Sequence, residues 1–369
     1  MKITILNENL KKGLSIISRG ISSRPQLPIL SGVLIKADGD GVYLVSTDLE
    51  ISFWLKVGAK VEEQGELVMP AKLFTDLVLS LPAGPVSLES ENYVLKIMAG
   101  SVKSEIVGQS AEDFPVVPRM KVEQLTIGAG EFREVVDKVS VSAAREDTRP
   151  VLTGLLWNLE GEEMVVVATD GYRLSVDSLR PQIKGKSLEG KMILPSRSLM
   201  EVAKVLNEVG EDKLRVEFDK ENQQVIFGLK EMEIASRLIA GEFPPYQQIM
   251  PNTYKTRVEI ERIELLEAVK RAKLFARDNA NIVKLSVEGS NLVVVAESSQ
   301  LGKNKTEIEV LTEGDSVTVA FNANYLLDYL SVCRDEKIYW ETEGELKPGV
   351  FKTSDKNWLQ VVMPVRVQS

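Results

Sequence analysis

The chain has 369 residues, 27% charged and 44% hydrophobic, with a formal net charge of −9 at pH 7. It contains no histidine and one cysteine, Cys333, which excludes an internal disulfide and Ser-His-Asp or Cys-His catalysis and removes the commonest transition-metal ligand. No apolar run approaches the roughly 18 residues that span a bilayer, and Met1-Lys2-Ile3-Thr4-Ile5 enters a strand pattern rather than a signal peptide, so a cytoplasmic protein with no membrane partner is expected.

In chain order, the alternation Ile3-Thr4-Ile5 predicts a first strand, and apolar spacing predicts a helix over 8–21. A β-branched run over 41–46 predicts a strand that closes on Val45-Ser46-Thr47-Asp48. Pro70, in Val68-Met69-Pro70-Ala71-Lys72-Leu73-Phe74, marks a second helix start, where proline is tolerated. Further strands run to Asp113-Phe114-Pro115.

The same order then recurs. Leu125-Thr126-Ile127 precedes a helix over 129–144 with Phe132, Val135, Val136 and Val139 at three and four spacing. A strand over 164–168 ends at Val167-Ala168-Thr169-Asp170, a second helix follows Pro195, and the unit closes at Glu242-Phe243-Pro244. A fainter third pass has Val258-Glu259-Ile260, a helix over 262–276, a strand over 292–296 and a second helix after Asn322, a good helix cap. It closes at Val362-Met363-Pro364.

Marker separations agree. Thr47 to Thr169 is 122 residues, Pro70 to Pro195 is 125, Phe114 to Phe243 is 129, Thr169 to Glu297 is 128 and Pro195 to Asn322 is 127. A period this long denotes whole domains in series rather than a solenoid, with expected boundaries 1–120, 121–252 and 253–369. Segments 115–123 and 251–257, carrying Pro and charged residues, are the expected linkers. Each copy reads helix, sheet, helix, sheet, an α+β unit with two helices packed on one face of antiparallel sheet.

Cationic residues cluster on the predicted first helices: Lys11, Lys12 and Arg19, then Arg133, Lys138 and Arg145, then Lys270, Arg271, Lys273 and Arg277. The second helices add Lys72, Arg197 and Lys204, while acidic residues gather in loops such as 160–163 and 208–212. Solvated faces are one reading. The other is a basic helix face that tracks phosphate without reading sequence. Six helices spaced about 9 Å apart would enclose only ~7 Å, whereas twelve from two chains would leave roughly 24 Å, enough for a duplex of about 20 Å.

Four stretches carry a family resemblance: Arg24-Pro25-Gln26-Leu27-Pro28-Ile29-Leu30, Ala168-Thr169-Asp170-Gly171-Tyr172-Arg173-Leu174, Gly241-Glu242-Phe243-Pro244-Pro245-Tyr246 and Val361-Val362-Met363-Pro364-Val365-Arg366. In order and spacing along the whole chain they resemble the bacterial sliding clamps, the β subunits of DNA polymerase III. The resemblance implies three tandem DNA-clamp domains and a head-to-tail homodimer forming a six-domain ring. That ring would encircle duplex DNA without sequence specificity and confer processivity, with no catalysis, cofactor or metal of its own. It also implies a hydrophobic groove for the polymerase III α subunit, the clamp-loader complex, and other polymerases and repair proteins carrying a clamp-binding motif.

Carried over by motif, the groove comprises Leu152, Thr169, Gly171, Tyr172, Arg173, Leu174, Pro244, Ile249, Val361, Val362, Met363, Pro364, Val365 and Arg366. Apolar walls suit leucine or aromatic anchors, methionine adapts to varied partners, and Arg173 or Arg366 would take a peptide carbonyl or carboxylate. Core burial is the competing reading for Leu152, Val361 and Val362. The resemblance places Arg24, Lys72, Arg145 and Arg197 near DNA, and Leu274 and Phe275 at a dimer seam against a sheet edge around Ile106. Gln248, Glu146 and Tyr172 stand where some members carry other residues, and Gln368-Ser369 extend the usual ending.

Two other classes compete. An enzyme would use Asp170, Tyr172 and Arg173 as acid and base, but Asp170-Gly171 after a strand reads as a turn, and Thr47-Asp48 repeats it without Tyr or Arg. No Gly-rich phosphate loop or metal-ligand spacing accompanies it. A non-DNA scaffold would keep fold and groove but lack the ring, and a secondary clamp copy is a variant of the clamp reading.

Overall fold

The computed structural model describes residues 1–22, 25, 27–146, 148–184, 190–354 and 357–366. It places the predicted helices as α1 (Asn7–Ile17), α2 (Ala71–Ser80), α3 (Ala129–Ser140), α4 (Ser196–Val209), α5 (Arg262–Ala276) and α6 (Ala323–Val332). α5 buries Leu265, Ala268, Val269, Ala272 and Ala276, the three- and four-residue stripe of a helix with one face on a core. The side chain of Asn322 caps α6, accepting from the Asn324 N–H at 2.9 Å.

Two helices end earlier than their apolar spacing predicts. α1 gives way to a 3-10 turn, Ser18–Gly20, where the Ser18 hydroxyl donates back to the Ser15 carbonyl at 2.7 Å. Gly20 then passes so close to the sheet that a Cβ would stand 2.6 Å from Ser46 Oγ. α3 stops at Ser140 because the next amides close tighter turns, Ser142 onto Val139 and Ala143 onto Ser140, before Ala144 donates to the Leu152 carbonyl. Arg145 therefore stands on a loop.

The chain divides into two compact units, Met1–Ala129 with Gln182–Ser187 and Glu201–Leu238, and Gly130–Pro181 with Leu188–Met200 and Ile239–Ser369. The second sequence copy is shared between them. In the first unit a five-stranded sheet runs Ala59–Glu63, Lys2–Leu6, Pro85–Glu91, Val94–Ala99, Val102–Val107. A nine-stranded sheet joins the first and second copies where Ile51–Val57 pairs antiparallel with Met232–Arg237, Ser52 opposite Ala235. α1 and α2 pack together beside it.

In the second unit another nine-stranded sheet joins the second and third copies. Arg173–Leu179 pairs antiparallel with Leu359–Val362, Leu174 opposite Val361. Adding the 122-residue spacing of Thr47 and Thr169 to Ser52 gives Leu174, so both seams use one register. The third copy's core is built from α5, α6 and a four-stranded sheet around Phe321, Tyr329, Trp340, Phe351 and Trp358. Clustered rings of this size dominate its apolar burial.

The linkers differ from one another. At 115–123 the Glu233 carboxylate takes the Met120 N–H at 2.9 Å and the Arg119 guanidinium at 2.8 Å, and Glu217 takes the N–H groups of Lys121 and Val122. Arg119 also lies over the Trp54 ring at 4.3 Å. In the second segment Arg257 belongs to the strand Thr256–Glu261, which is paired on both sides, and so is not linker.

Candidate functional site

The turn after the strand Glu163–Thr169 is built from its own side chains. Thr169 Oγ1 accepts from the Gly171 N–H at 3.0 Å and donates to the Arg173 carbonyl at 2.6 Å. Asp170 Oδ1 accepts from the N–H groups of Tyr172 and Arg173 at 2.9 and 3.0 Å. Such Asx turns satisfy backbone donors where the chain reverses. Gly171 takes φ 89°, a left-handed conformation that glycine adopts cheaply. Asp170 thus occupies the turn that its Asp-Gly pattern predicts.

Arg173 departs from expectation. Its side chain is only 4% exposed, and Nε donates to Asp170 Oδ2 at 3.0 Å while Nη1 donates to Asp328 Oδ2 at 2.6 Å. The guanidinium also lies 4.5 Å from the Tyr325 ring centroid. With both acids already engaged, it is not presented to an incoming peptide carboxylate. Burial, with the nearby Asp170 carboxylate, pushes the Tyr325 phenol above its ordinary range.

Around the turn the structure gathers most of the proposed groove. Leu174 and Val361 share one apolar cluster with Leu156, Val167, Ile193 and Tyr246, against which Phe243 and Met250 pack. The Met363 N–H donates to the Tyr172 carbonyl at 2.9 Å, tying the chain end to the turn, and Val365 N–H donates to the Ala320 carbonyl. Leu152 closes a 3-10 turn, Pro150–Leu152, and with Tyr172, Arg173, Tyr325 and Asp328 lines an open cleft of about 900 Å³. Tyr246 anchors the turn Tyr246–Ile249.

The groove positions span surface, intermediate and core. Gly171, Tyr172, Ile249 and Arg366 are exposed, Tyr172 by 66%. Pro244, Met363, Pro364 and Val365 are half-buried; Leu152, Thr169, Leu174 and Val361 are buried. Leu152, Val361 and Val362 are all buried, Val361 in one apolar cluster and Val362 in the third copy's core, so the core reading describes the surroundings of all three. Sequence reasoning missed Asp328, Tyr325 and Tyr246. Tyr325 and Asp328 are spaced i and i+3 on α6, which puts them on one helix face, but nothing in the sequence says that the face meets Arg173.

Comparison with known families decides the class. Models of the DNA polymerase III beta subunit match in sequence order: the N-terminal domain over residues 1–118, the central domain over 126–245 and the C-terminal domain over 247–366. The chain belongs to the DNA polymerase III β subunit family, the sliding clamps. A beta sliding clamp of Staphylococcus aureus is 29% identical over 377 residues, covering 99% of this chain and 97% of that one. The sliding clamp of Bacillus subtilis superposes with a TM-score of 0.95 at 28% identity over 100% of both chains. A Pseudomonas aeruginosa clamp solved bound to griselimycin gives 0.92 at 27% identity, again over 100% of both. The chain is a sliding clamp of three tandem clamp domains, the processivity factor of its polymerase. No helix among the described residues is long and apolar enough to cross a membrane.

The remaining expected positions of the clamp are scattered over its elements. Lys72 and Arg197 are exposed in the first turns of α2 and α4, at equivalent places in the first and second copies. Arg145 is 84% exposed, with Nη2 3.8 Å from Asp328. Arg24 lies outside the described residues. Not every helix cation faces outward: Lys138 is buried, with Nζ 2.7 Å from Glu134 and 3.6 Å from Asp177, and Arg19 bonds Glu201 at 2.8 Å and also Glu208. Ile106 is buried in Val102–Val107, the edge strand of its sheet; Leu274 is 54% exposed and Phe275 half-buried on α5.

Proposed function

We propose that two copies of this chain close head to tail into a six-domain ring around duplex DNA, and that the surface around Tyr172 and Met363 holds short hydrophobic segments of its partners. The partners are the polymerase III α subunit, the clamp loader, and other polymerases and repair proteins, which share one surface in turn. The chain has no catalytic step, cofactor or metal in this reading and works in the cytoplasm, with domain boundaries after residues 120 and 252.

The observation that carries the groove is the seam itself. Leu174 and Val361 form its apolar floor, and the exposed Tyr172 and half-buried Met363 border it. An apolar floor with a few polar neighbours is the usual form of a peptide-anchoring site. That a similar Pseudomonas aeruginosa clamp was solved bound to griselimycin supports a ligand-binding surface on this fold. On the DNA side, Lys72, Arg145 and Arg197 would contact phosphate, and Arg24 joins them by family position. At the seam between chains, Leu274 and Phe275 would cover the sheet edge that holds Ile106.

Deleting the chain from Met363 onward tests the groove. Binding of a labelled peptide with leucine and phenylalanine anchors should fall at least about thirtyfold, as for the loss of a hot spot, while light scattering still reports a dimer. Loss of the dimer, or unchanged peptide binding, would count against the assignment.

A further inference from the structure

The three copies supply an internal control for the residues around the groove. The turn built on Asp170 recurs in the first copy, where Asp48 Oδ1 accepts from the N–H groups of Glu50 and Ile51 at 3.0 and 2.8 Å. It recurs again in the third copy, where Ser298 Oγ accepts from Gln300 and Leu301, each at 3.1 Å. The position of Arg173 is held by Ile51 in one and Leu301 in the other. The turn therefore forms without an arginine. Only the copy that carries the groove has one there, and only there does a carboxylate of the following copy grip it.

That carboxylate has a history in the repeat. Asp328 lies 127 residues after Glu201, the same separation as Pro195 to Asn322, so both acids occupy one place on the second helix of a copy. Glu201 reaches back to Arg19 of the first copy at 2.8 Å. Asp328 reaches back to the second copy as well, but to the groove turn, through Arg173 at 2.6 Å.

We propose that Asp328 is a positioning residue for partner binding: through Arg173 it locks the turn that presents Tyr172, fixing one end of the groove before a peptide arrives. The proposal rests on the groove reading above. Arg173 is held from two sides, by Asp170 of its own turn and Asp328 of α6, with Tyr325 beneath the guanidinium. Removing one charge leaves a buried guanidinium half-compensated, which frees it to shift. Since the Arg173 backbone N–H and carbonyl both close the turn, a shift there moves Tyr172 and loosens a surface that binds best when preorganised.

The test is fluorescence titration of the full-length protein with a fluorescein-labelled synthetic peptide carrying leucine and phenylalanine anchors. Asp328→Asn, which keeps shape and loses charge, should weaken binding about tenfold, within the range seen for residues that act through a neighbour. Asp328→Glu should restore affinity to within about threefold of the parent. In an Arg173→Met background, Asp328→Asn should have no further effect, because the two act as one unit. Unchanged affinity in Asp328→Asn, or an undiminished loss in the Arg173→Met background, would overturn the proposal. Some fall in melting temperature is expected from the half-compensated guanidinium; a monomeric mass, or an Asp328→Asn protein already partly unfolded at the titration temperature, would overturn the proposal, since the role would then be structural. If the unaltered protein bound no peptide, the groove reading would fail first and this one with it.

Discussion

Gly171 and Leu49 show how one backbone turn is met with different residues. Both are left-handed, at φ 89° and 77°, in turns that Thr169-Asp170 and Thr47-Asp48 close with the same hydrogen bonds. A Cβ added at Gly171 would meet nothing within 4 Å. The only cost of Gly171→Ala is conformational, about 1–2 kcal/mol for a left-handed L-residue, and the first copy carries a leucine there. We expect Gly171→Ala to fold and to lose about 1 kcal/mol in chemical denaturation; a loss several times larger would mean that the turn bears more than its own strain. The Asp-Gly turn itself was legible in the sequence, whereas Tyr172 and Met363 entered only as groove positions that the family resemblance implies. The fate of Arg173 was not legible. Its partner lies 155 residues away, and no local pattern announces that an arginine next to a turn will be buried between two acids.

Among the elements, the helices show where local pattern is sufficient and where tertiary contact overrides it. The span of α5 follows from its apolar stripe alone. α1 and α3 stop short because side-chain hydroxyls, a glycine held against Ser46 and an amide captured by Leu152 redirect the chain. Charge on helices was less legible still, since a formal lysine at Lys138 is enclosed by Glu134, Asp177 and the Trp358 ring. α4 gives a pH-dependent test of the first seam. Burial raises the Glu201 carboxyl, but hydrogen bonds from Lys204 and Arg19 outweigh it and hold the group below the ordinary value of 4.5. A carboxyl depressed in the folded state adds stability that is full above its unfolded value and fades as pH falls through the folded one. Glu201→Gln should therefore lower the melting temperature at pH 7 and narrow its difference from the parent below pH 4.5. A difference that stayed constant with pH would remove the charge from the explanation.

For the whole molecule, the repeated markers revealed three domains because whole-domain duplication preserves order and spacing, and the same register at both seams, Ser52 with Ala235 and Leu174 with Val361, shows how duplication also copied the joint. At that one register position the seams differ, apolar Leu174 and Val361 at one and Ser52 and Ala235 at the other, and Arg119 and two glutamates fasten the linker beside the first seam. Ring closure rests on the chain pairing with itself. The exposed Leu274 and its neighbour Phe275 should resist substitution by glutamate, which would place a charge in an apolar interface at a cost of several kcal/mol and yield monomers. The most direct measurement is the mass in solution by light scattering, followed on the same sample by retention on nicked circular DNA, after clamp-loader action, before and after linearisation. A mass twice the 40.9 kDa of the chain, held on circles and released on cutting, is the predicted result; a monomer, or retention indifferent to DNA ends, would contradict a topological clamp.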